Sequence, residues 1–547
     1  MSRIISGVGA ASKEMYAPRS DNAKKWWLPS MLGITVTTVL LLTAFGYFIR
    51  ADNIWWHLKM GQLIVDLRQL PETNTFSFTA PDHPWIAQEW ASEVFFYAVY
   101  NLLGYRGLVA TALLLNAIAC ALVYLLTERF SRAPFASALV TMLAALLMLS
   151  QFSLRPYLFG NLFFVIALYL MEKPSAGGRL RPVLVFCLFG IWANFHSSFL
   201  IGLAMILLYA AAAAARRYID PKAGKHRSRD TLDFELPPPG RLAGDFLVAL
   251  AACMATPNHV FGLIFPLAYV KEAFSTKINY LTNFSEWRPA GLESPLGRMV
   301  TFYLLFCGFA IAGSRKSPRP IHVGLLVAFA AFAYSSVRNI PLLGIAATPV
   351  LAGHLPQTLG FTWKFLPIAK NLRSRFEQIH AALLRVHNQS RAILLPSLAA
   401  LFLLVCFSVP PDSKLSYGSL TGLRSLADLS PDFYPTRALD YLSRLDGRRR
   451  LFNYINWGGA VIWHLYPNQR VFIDQRHDCY PAEVFADYFA VHRLDRDWRS
   501  VLERWRIDTV MYPRRERLTK ELMRQPGWAV VYQDERAVVL ERIVNGD

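Results

Sequence analysis

Long apolar runs separated by short polar segments dominate the chain. The runs are nearly free of charge, and several approach the roughly 20 residues that a helix needs to cross about 30 Å of hydrocarbon. This pattern predicts a polytopic α-helical membrane protein with about eleven spans. The predicted spans are residues 28–49, 107–127, 134–150, 157–172, 182–195, 198–215, 243–257, 297–314, 321–336, 340–354 and 392–409. The stretch 258–272 is either a re-entrant hairpin or a further span.

Lys and Arg lie between these runs rather than within them. The chain has 57 Lys and Arg against 38 Asp and Glu, a formal net charge of +19, and 54% of its residues are hydrophobic. Apolar content concentrated in runs excludes a single soluble domain, and a 14% share of aromatic residues excludes a disordered chain. Because short cytoplasmic loops carry the excess of Lys and Arg, this placement predicts a cytoplasmic N-terminus and an external C-terminus. We therefore expect membrane lipids, and no nucleic acid, around the positive charge.

This orientation divides the chain into three parts. A cytoplasmic segment, 1–27, precedes a membrane domain, 28–409, whose first external loop covers 50–106, and residues 410–547 form an external tail. Helical and strand patterns alternate in the tail, which is typical of an open α/β domain. The helical patterns cover 434–445, 459–465 and 482–492, and the strand patterns cover 450–454, 470–474, 508–512, 528–532 and 537–541.

The first external loop combines carboxylates, an imidazole and tryptophans near the membrane surface. These residues are Asp52, Trp55, Trp56, His57, Glu89 and Trp90, and an amphipathic helix is predicted to begin at Asp52 and to run to about residue 70. Two carboxylates between aromatic rings suit chemistry on a polar group carried by a lipid. One would deprotonate an acceptor, and the other would orient it or hold a divalent cation. The alternative is an ordinary interfacial belt, in which Asp52 merely faces water.

Further ionisable residues lie at helix ends on the same predicted face. They are Arg155, His196, Glu286 and Arg338. Such groups facing a membrane-embedded cavity are functional candidates, and a guanidinium can pair with phosphate oxygens in bidentate fashion. Arg155 and Arg338, with His196, are therefore candidates for binding a phosphate or pyrophosphate. Snorkelling of each arginine and packing of a lone histidine are the alternatives.

Two segments carry a resemblance to known families. A carboxylate just after the first span resembles the GT-C glycosyltransferases, which transfer sugar from polyprenyl-linked donors, and Asp52 is the position that matches their catalytic Asp. The tail segment 452–476 is similar to the region around the WWDYG motif of oligosaccharyltransferase catalytic subunits, where Trp457 and Gly459 match. Gly458 stands where that motif has Asp, which argues against recognition of an Asn-linked sequon. The overall pattern is also similar to large multi-pass bacterial proteins of uncertain function.

The resemblance implies an integral membrane glycosyltransferase. It would move a sugar or oligosaccharide from a polyprenyl phosphate or pyrophosphate donor to a glycan, lipid or protein acceptor on the external face. Asp52, Glu89 and His57 would be catalytic, and Arg155, Arg338 and His196 would bind the donor phosphate. Acceptor or sugar would contact Trp55, Trp56, Trp90, Glu286, Trp457, Asp474 and Arg476. The implied location is a bacterial inner membrane with the tail in the periplasm.

A divalent cation, Mg²⁺ or Mn²⁺, is a candidate cofactor. Asp52, Glu89 and Glu286 are its candidate ligands, because the turn at 151–156 lacks the acidic pair that oligosaccharyltransferases use. A metal-free mechanism with a single base fits these residues equally well.

Two other functions remain open. A transporter or flippase of a lipid-linked or anionic substrate would use the same basic cavity without bond cleavage, although no repeated halves are visible. A non-catalytic envelope assembly protein would use its tail to bind a partner.

Overall fold

The structure is a computed structural model that describes residues 34–36, 38–39, 54–173, 178–219, 236–273, 285–365, 374–375, 378, 381 and 434–543. Asp52 and the predicted span 392–409 lie outside the described residues, as does nearly all of the predicted span 28–49.

Within the described residues, the part of the chain before the tail is largely helical where the apolar pattern predicted a span. Its helices are α1 (Ile54–Leu67), α2 (Trp90–Ser131), α3 (Pro134–Leu149), α4 (Tyr157–Glu172), α5 (Arg181–Phe195), α6 (Phe199–Ile219), α7 (Pro239–Cys253), α8 (His259–Ala273), α9 (Pro295–Ala312), α10 (Pro320–Ser335), α11 (Ile340–Ala346) and α12 (Thr348–Phe365). Helix α1 is the predicted amphipathic helix of the first loop. Helix α8 occupies the ambiguous stretch as one continuous helix rather than a hairpin.

Three of the described helical segments are long and apolar enough to cross a membrane, judged by length and composition. They are Gly107–Ser131 within α2, the whole of α6 and the whole of α9. Shorter apolar helices, α3, α4 and α10, pack among them in one hydrophobic core. Helix α2 bends at Gly104, whose φ of 63° is a left-handed conformation that glycine adopts without strain. The bend separates its apolar part from residues 90–103, which lie beside the first loop.

Buried polar pairs join helices at the end of α4 that is remote from Pro156. Glu172 accepts from His322, with 2.9 Å between Oε1 and Nε2, and Arg181 pairs with Asp245 at 2.8 Å. All four side chains are almost fully buried. Each charge has a partner, as burial requires, so these contacts connect helices without leaving an isolated ion in the core.

The described part of the tail is an α/β domain with a four-stranded sheet. Its elements are α13 (Thr436–Ser443), β1 (Leu451–Asn453), α14 (Gly458–Leu465), α15 (Ala482–Arg493), α16 (Trp498–Arg504), β2 (Thr509–Pro513), α17 (Arg517–Leu522), β3 (Trp528–Gln533) and β4 (Ala537–Arg542). The strand order is β1-β2-β4-β3, in which β1 is parallel to β2 and the other pairs are antiparallel.

The predicted strand at 470–474 does not join this sheet. Its backbone instead binds the Asn453 side chain, which accepts from the Phe472 N–H at 2.9 Å and donates to the Ile473 carbonyl at 2.8 Å. Val471 forms a single parallel bridge with Ser77 of the first loop. The apolar run 471–473 is therefore buried without being a strand of the sheet, because its polar backbone groups find partners elsewhere.

The first loop and the tail share one hydrophobic core. Trp55 of α1 lies against the tail, with ring centroids about 6 Å from those of Tyr434, Trp463 and His464. Asn74 of the loop donates to the Cys479 carbonyl at 3.0 Å and accepts from Arg476 at 2.8 Å. These contacts fix the tail to the loop that leads into α2.

The Arg476–Asp474 pair allows a test of this docking. Both side chains are fully buried, and the guanidinium donates from Nε and Nη2 to the two carboxylate oxygens at 2.9 and 2.7 Å. Arg476→Met leaves a buried carboxylate without its cation, which should cost about 3–5 kcal/mol. Thermal unfolding of the full chain in detergent would show this as a clear fall in midpoint.

Arg499→Met is the matched control. Arg499 pairs with Glu521 at 3.3 Å on the tail surface, where its side chain is 56% exposed, so the expected change is about 1 kcal/mol or less. Equal effects of the two substitutions would contradict the structural role given to Arg476.

Candidate active site

A cavity of about 390 Å³ lies where the first loop, the helix ends and the tail meet. Its polar lining comes from six segments, which the charge pattern placed on or next to the external face. The titratable or cationic residues in this lining are His57, Glu89, Glu93, Arg155, Tyr157, His196, Glu286, Arg338, Arg476, His477 and Asp478. Apolar side chains of the helices, among them Leu200, Ile201, Phe265, Phe332 and Leu342, complete the wall. The cavity wall thus combines polar and apolar surface.

Glu89 and His196 form a pair on this wall, and the hydrogen bonds of His196 define which ring nitrogen carries the proton. Nδ1 of His196 accepts a hydrogen bond from the Ser198 backbone N–H at 3.1 Å and lies 2.8 Å from the Ser198 hydroxyl. Because Nδ1 is an acceptor, the neutral ring carries its proton on Nε2, which lies 3.2 Å from Oε1 of Glu89. Burial, reinforced by the positive charge of Arg338, lowers the pKa of His196 to about 3. The imidazole is therefore a neutral donor towards Glu89.

Glu89 is the carboxyl group best suited to proton transfer among the described residues. It occupies the N-cap position of α2, but its side chain makes no capping hydrogen bond and faces the cavity instead. Burial raises the pKa of Glu89 to about 8, with Arg338 opposing the shift and Asp478 adding to it. A pKa near the working pH allows a group both to take and to return a proton.

Arg155 and Glu286 form an ion pair across the cavity. Nη1 of Arg155 donates to Oε2 of Glu286, and Nε2 of His477 lies 3.8 Å from the other carboxylate oxygen. Burial alone would raise the pKa of Glu286, but Arg155 and then His477 oppose burial and hold it well below its usual range. Glu286 is therefore ionised, and its charge is matched by Arg155.

Arg338 differs from Arg155 in lacking a carboxylate partner. Its guanidinium carbon lies 4.2 Å from the centroid of the Trp287 ring, a cation–π contact that covers one face of the planar group. The structure gives it no hydrogen bond or ion pair with any other described residue. The N–H edge of a guanidinium is the part that binds carboxylate or phosphate, and in Arg338 that edge is available on the cavity wall.

His57 and Glu93 form a second buried pair, with 3.2 Å between Nδ1 and Oε1. Burial lowers the pKa of His57 well below its usual value and raises that of Glu93 well above its own, so both side chains are neutral. Gly61 makes this contact possible, because a Cβ at that position would lie only 2.2 Å from the Glu93 carbonyl oxygen. Helix α1 can therefore pack directly on the start of α2.

The tail closes the cavity with residues 475–478. Arg476 lies among the rings of Trp56, Phe76 and Trp85, with its guanidinium carbon 4.9 to 5.8 Å from their centroids. Trp85 donates from Nε1 to Oδ2 of Asp478 at 3.0 Å. Burial raises the pKa of Asp478, although this hydrogen bond acts in the opposite direction. Residues 475–478 of the tail thus form part of the cavity wall, and contacts with the first loop orient Arg476 and Asp478.

The cavity brings together most of the residues that the sequence singled out. Eight predicted site residues line it: Trp56, His57, Glu89, Arg155, His196, Glu286, Arg338 and Arg476. Four do not line it, namely Trp55, Trp90, Trp457 and Asp474. Trp55 packs on the tail, and Trp90 donates to Asn194 at 2.8 Å. Asp474 forms an ion pair with Arg476 but does not itself line the cavity. Asp52 lies outside the described residues.

The glycine that departs from the resembling motif has a steric explanation. A Cβ at Gly458 would lie 2.6 Å from the Cβ of Asp474 and 2.7 Å from the Ile473 carbonyl oxygen. An aspartate at Gly458 would therefore displace the segment that carries Arg476.

The candidate cation ligands are not grouped in the described parts of the chain. No set of three or more His, Cys, Asp or Glu there is arranged to hold a metal ion. Glu286 is bound by Arg155, and Glu89 lies against His196. Use of Mg²⁺ or Mn²⁺ stays a prediction, since the third candidate ligand, Asp52, is not among the described residues.

Several cavity residues escaped sequence reasoning. They are Trp85, Glu93, Tyr157, Ser198 and Trp287. A signal existed for Glu93, which follows Glu89 by one helical turn and so lies on the same face of α2. The tail also contributes His477 and Asp478, whose position depends on tail docking.

Comparison with known proteins finds similar solved structures. No family model and no curated protein matches the chain. The apo oligosaccharyltransferase of Archaeoglobus fulgidus is 12% identical, with a TM-score of 0.49, over 90% of this chain and 70% of that one. The same archaeon's AglB, in complex with an inhibitory peptide and a dolichol-phosphate, is 10% identical, with a TM-score of 0.47, over 88% and 69%. ArnT from Cupriavidus metallidurans, bound to undecaprenyl phosphate, is 12% identical, with a TM-score of 0.47, over 94% and 98%.

Two of these three structures are oligosaccharyltransferases, the family that the tail segment 452–476 resembles. At such identities and TM-scores they assign neither a substrate nor a reaction to this chain.

The protonation of Glu93 gives a test of the site. Glu93→Gln replaces one neutral hydrogen-bonding group by another of similar shape, so we expect an unfolding midpoint close to that of the parent in detergent. Glu93→Ala leaves His57 buried without this partner and should cost about 1–3 kcal/mol. A loss with Gln as large as that with Ala would mean that Glu93 carries a charge.

Proposed function

We propose that this protein is an integral membrane glycosyltransferase that uses a polyprenyl phosphate or pyrophosphate sugar donor. The acceptor, a glycan, lipid or protein, would enter from the external face, which in a bacterial inner membrane is the periplasmic side. The observation that carries the proposal is the pairing in one cavity of a carboxyl group with a pKa of about 8, Glu89, and a guanidinium edge available for phosphate, Arg338.

The shape of the cavity supports a lipid-linked ligand. Its ionisable lining residues come mainly from loops and helix ends, while residues of α6, α8, α10 and α11 contribute apolar surface. A phosphate at Arg338 would leave the polyprenyl chain to extend along that apolar surface. Trp56, Trp85 and Trp287 also line the wall and could pack against a sugar.

Each group has a place in the transfer step. Glu89, in its ionised form, would take the proton from an acceptor hydroxyl as that oxygen attacks the anomeric carbon of the donor. The bond from that carbon to the phosphate oxygen breaks, and the electron pair leaves with the phosphate. Arg338 would bind that oxygen as its negative charge grows, which stabilises the transition state more than the ground state. His196 would orient Glu89 by donating from Nε2.

Removal of the proposed base is the first test. Glu89→Gln should lower transfer of labelled sugar by about 10²–10⁴-fold, while the affinity for donor changes little because Glu89 is largely neutral at pH 7. The assay uses the purified full chain in liposomes, a mixed pool of polyprenyl-linked donors and a bacterial envelope extract as the acceptor source. Glu293→Gln, which changes an exposed carboxylate on the same face, is the matched control.

Asp52→Asn and EDTA belong in the same assay. Loss of transfer with Asp52→Asn and its retention with Glu89→Gln would assign the base to Asp52, as the family resemblance implies. Loss with EDTA would establish metal dependence. Donor binding by the parent without any transfer, under every acceptor condition, would favour the transporter.

The pH profile supplies an independent test. The base must be ionised, so kcat/KM should rise with pH and level off above about 8, the pKa of Glu89 in the free protein. The residual activity of Glu89→Gln should lack this rise. A parent profile that is flat between pH 6 and 9 would exclude Glu89 as the base.

A further inference from the structure

The charges that face the cavity bear on which lipid-linked donor it accepts. A sugar joined to a polyprenol through one phosphate is a phosphodiester with a single negative charge at neutral pH, whereas a pyrophosphate linkage carries two. A buried charge needs a partner of opposite sign, so the number of unpaired cations in the wall limits the charge of the ligand.

Two of the three arginines in the wall are already matched by carboxylates. Arg155 is paired with Glu286, and Arg476 is bound through two nitrogens by Asp474. His477, a further basic side chain of the wall, faces Glu286 as well, at 3.8 Å. These groups contribute little net positive charge.

Arg338 is the exception among the arginines that line the cavity in the described part of the chain. It stacks on Trp287, and the structure gives it no carboxylate partner. The neighbouring acids are not partners of Arg338, because Glu89 faces His196, Glu93 faces His57 and Asp478 accepts from Trp85.

We infer that the donor of this protein is a polyprenyl monophosphate sugar rather than a pyrophosphate-linked one, because Arg338 is the one cavity arginine of the described chain without a carboxylate partner. This inference rests on the proposed function and makes it more specific. One guanidinium edge binds two oxygens of one phosphate, and the second charge of a pyrophosphate would enter the cavity unpaired.

The test uses two probes from which the sugar, whose identity is unknown, has been replaced by a methyl group. One is a polyprenyl methyl phosphodiester with one charge, and the other is the corresponding methyl pyrophosphate diester with two. Binding to the full chain in nanodiscs is measured with EDTA present. We expect the phosphodiester to bind at least about tenfold more tightly, because an unneutralised charge in a poorly solvated cavity is costly.

Two variants show whether Arg338 and the Arg155 pair set this preference. Arg338→Gln should weaken binding of the phosphodiester by about tenfold or more, whereas Arg298→Gln, at an exposed arginine on the same face, should not. Glu286→Gln removes the partner of Arg155, so it should shift the ratio of affinities towards the pyrophosphate probe. An unfolding midpoint close to that of the parent shows that a variant is folded. If a variant does not fold, the ratio of the parent's affinities for the two probes decides the question.

The outcomes separate the inference from the proposed function. Equal or tighter binding of the pyrophosphate probe by the parent overturns the monophosphate assignment and leaves the glycosyltransferase in place. Binding of neither probe by the folded parent removes a lipid-linked phosphate as ligand, and with it the proposed function. A preference for the phosphodiester that Arg338→Gln leaves unchanged overturns the role given to Arg338.

Discussion

Removal of charged side chains from water, where the first loop meets the helix ends and the tail, is the constraint on which the rest of the structure depends. An isolated ion in such a place is costly, so the charged arginines and carboxylates described there, apart from Arg338, are paired or neutralised. Arg476 and Asp474 are fully buried as a bidentate pair, and Arg155 pairs with Glu286 across the cavity. Arg155 and Glu286 come from distant parts of the chain, so their pairing also holds those parts together.

The same constraint produces the chemistry of the site. His57 and Glu93 are too deeply buried to carry charge, so they form a neutral hydrogen-bonded pair that connects α1 to α2. Glu89 is less enclosed, and its pKa of about 8 reflects burial that the positive charge of Arg338 partly offsets. A carboxyl group so placed is a better base than one in water, where its pKa would be near 4. Reactivity and stability therefore have a common physical origin here.

Close packing sets the geometry within which these electrostatic effects operate. Gly61 lets α1 approach the backbone of Glu93, and Gly458 lets the tail helix α14 approach Asp474. Asn453 then directs the chain after α14 away from the sheet and towards the first loop, through hydrogen bonds to residues 472 and 473. The segment that ends in Arg476, His477 and Asp478 reaches the cavity as a result. A tail of the same secondary structure without these contacts would leave one wall of the cavity open.

The sequence by itself determined the positions of the apolar helices, because burial of continuous apolar runs is a local property that spacing and charge reveal. The sequence also identified most strands of the tail. It singled out Glu89 in the first loop, and Arg155, His196, Glu286 and Arg338 as polar residues at helix ends. Only the tertiary structure decided that Glu89 faces His196, that Glu286 takes Arg155 as its partner and that Arg338 lacks one. It also turned segment 470–474 away from the sheet and placed Trp55, Trp90 and Trp457 outside the cavity. The physical reason is that pairing and desolvation depend on distances between segments far apart in the chain, which no local pattern encodes.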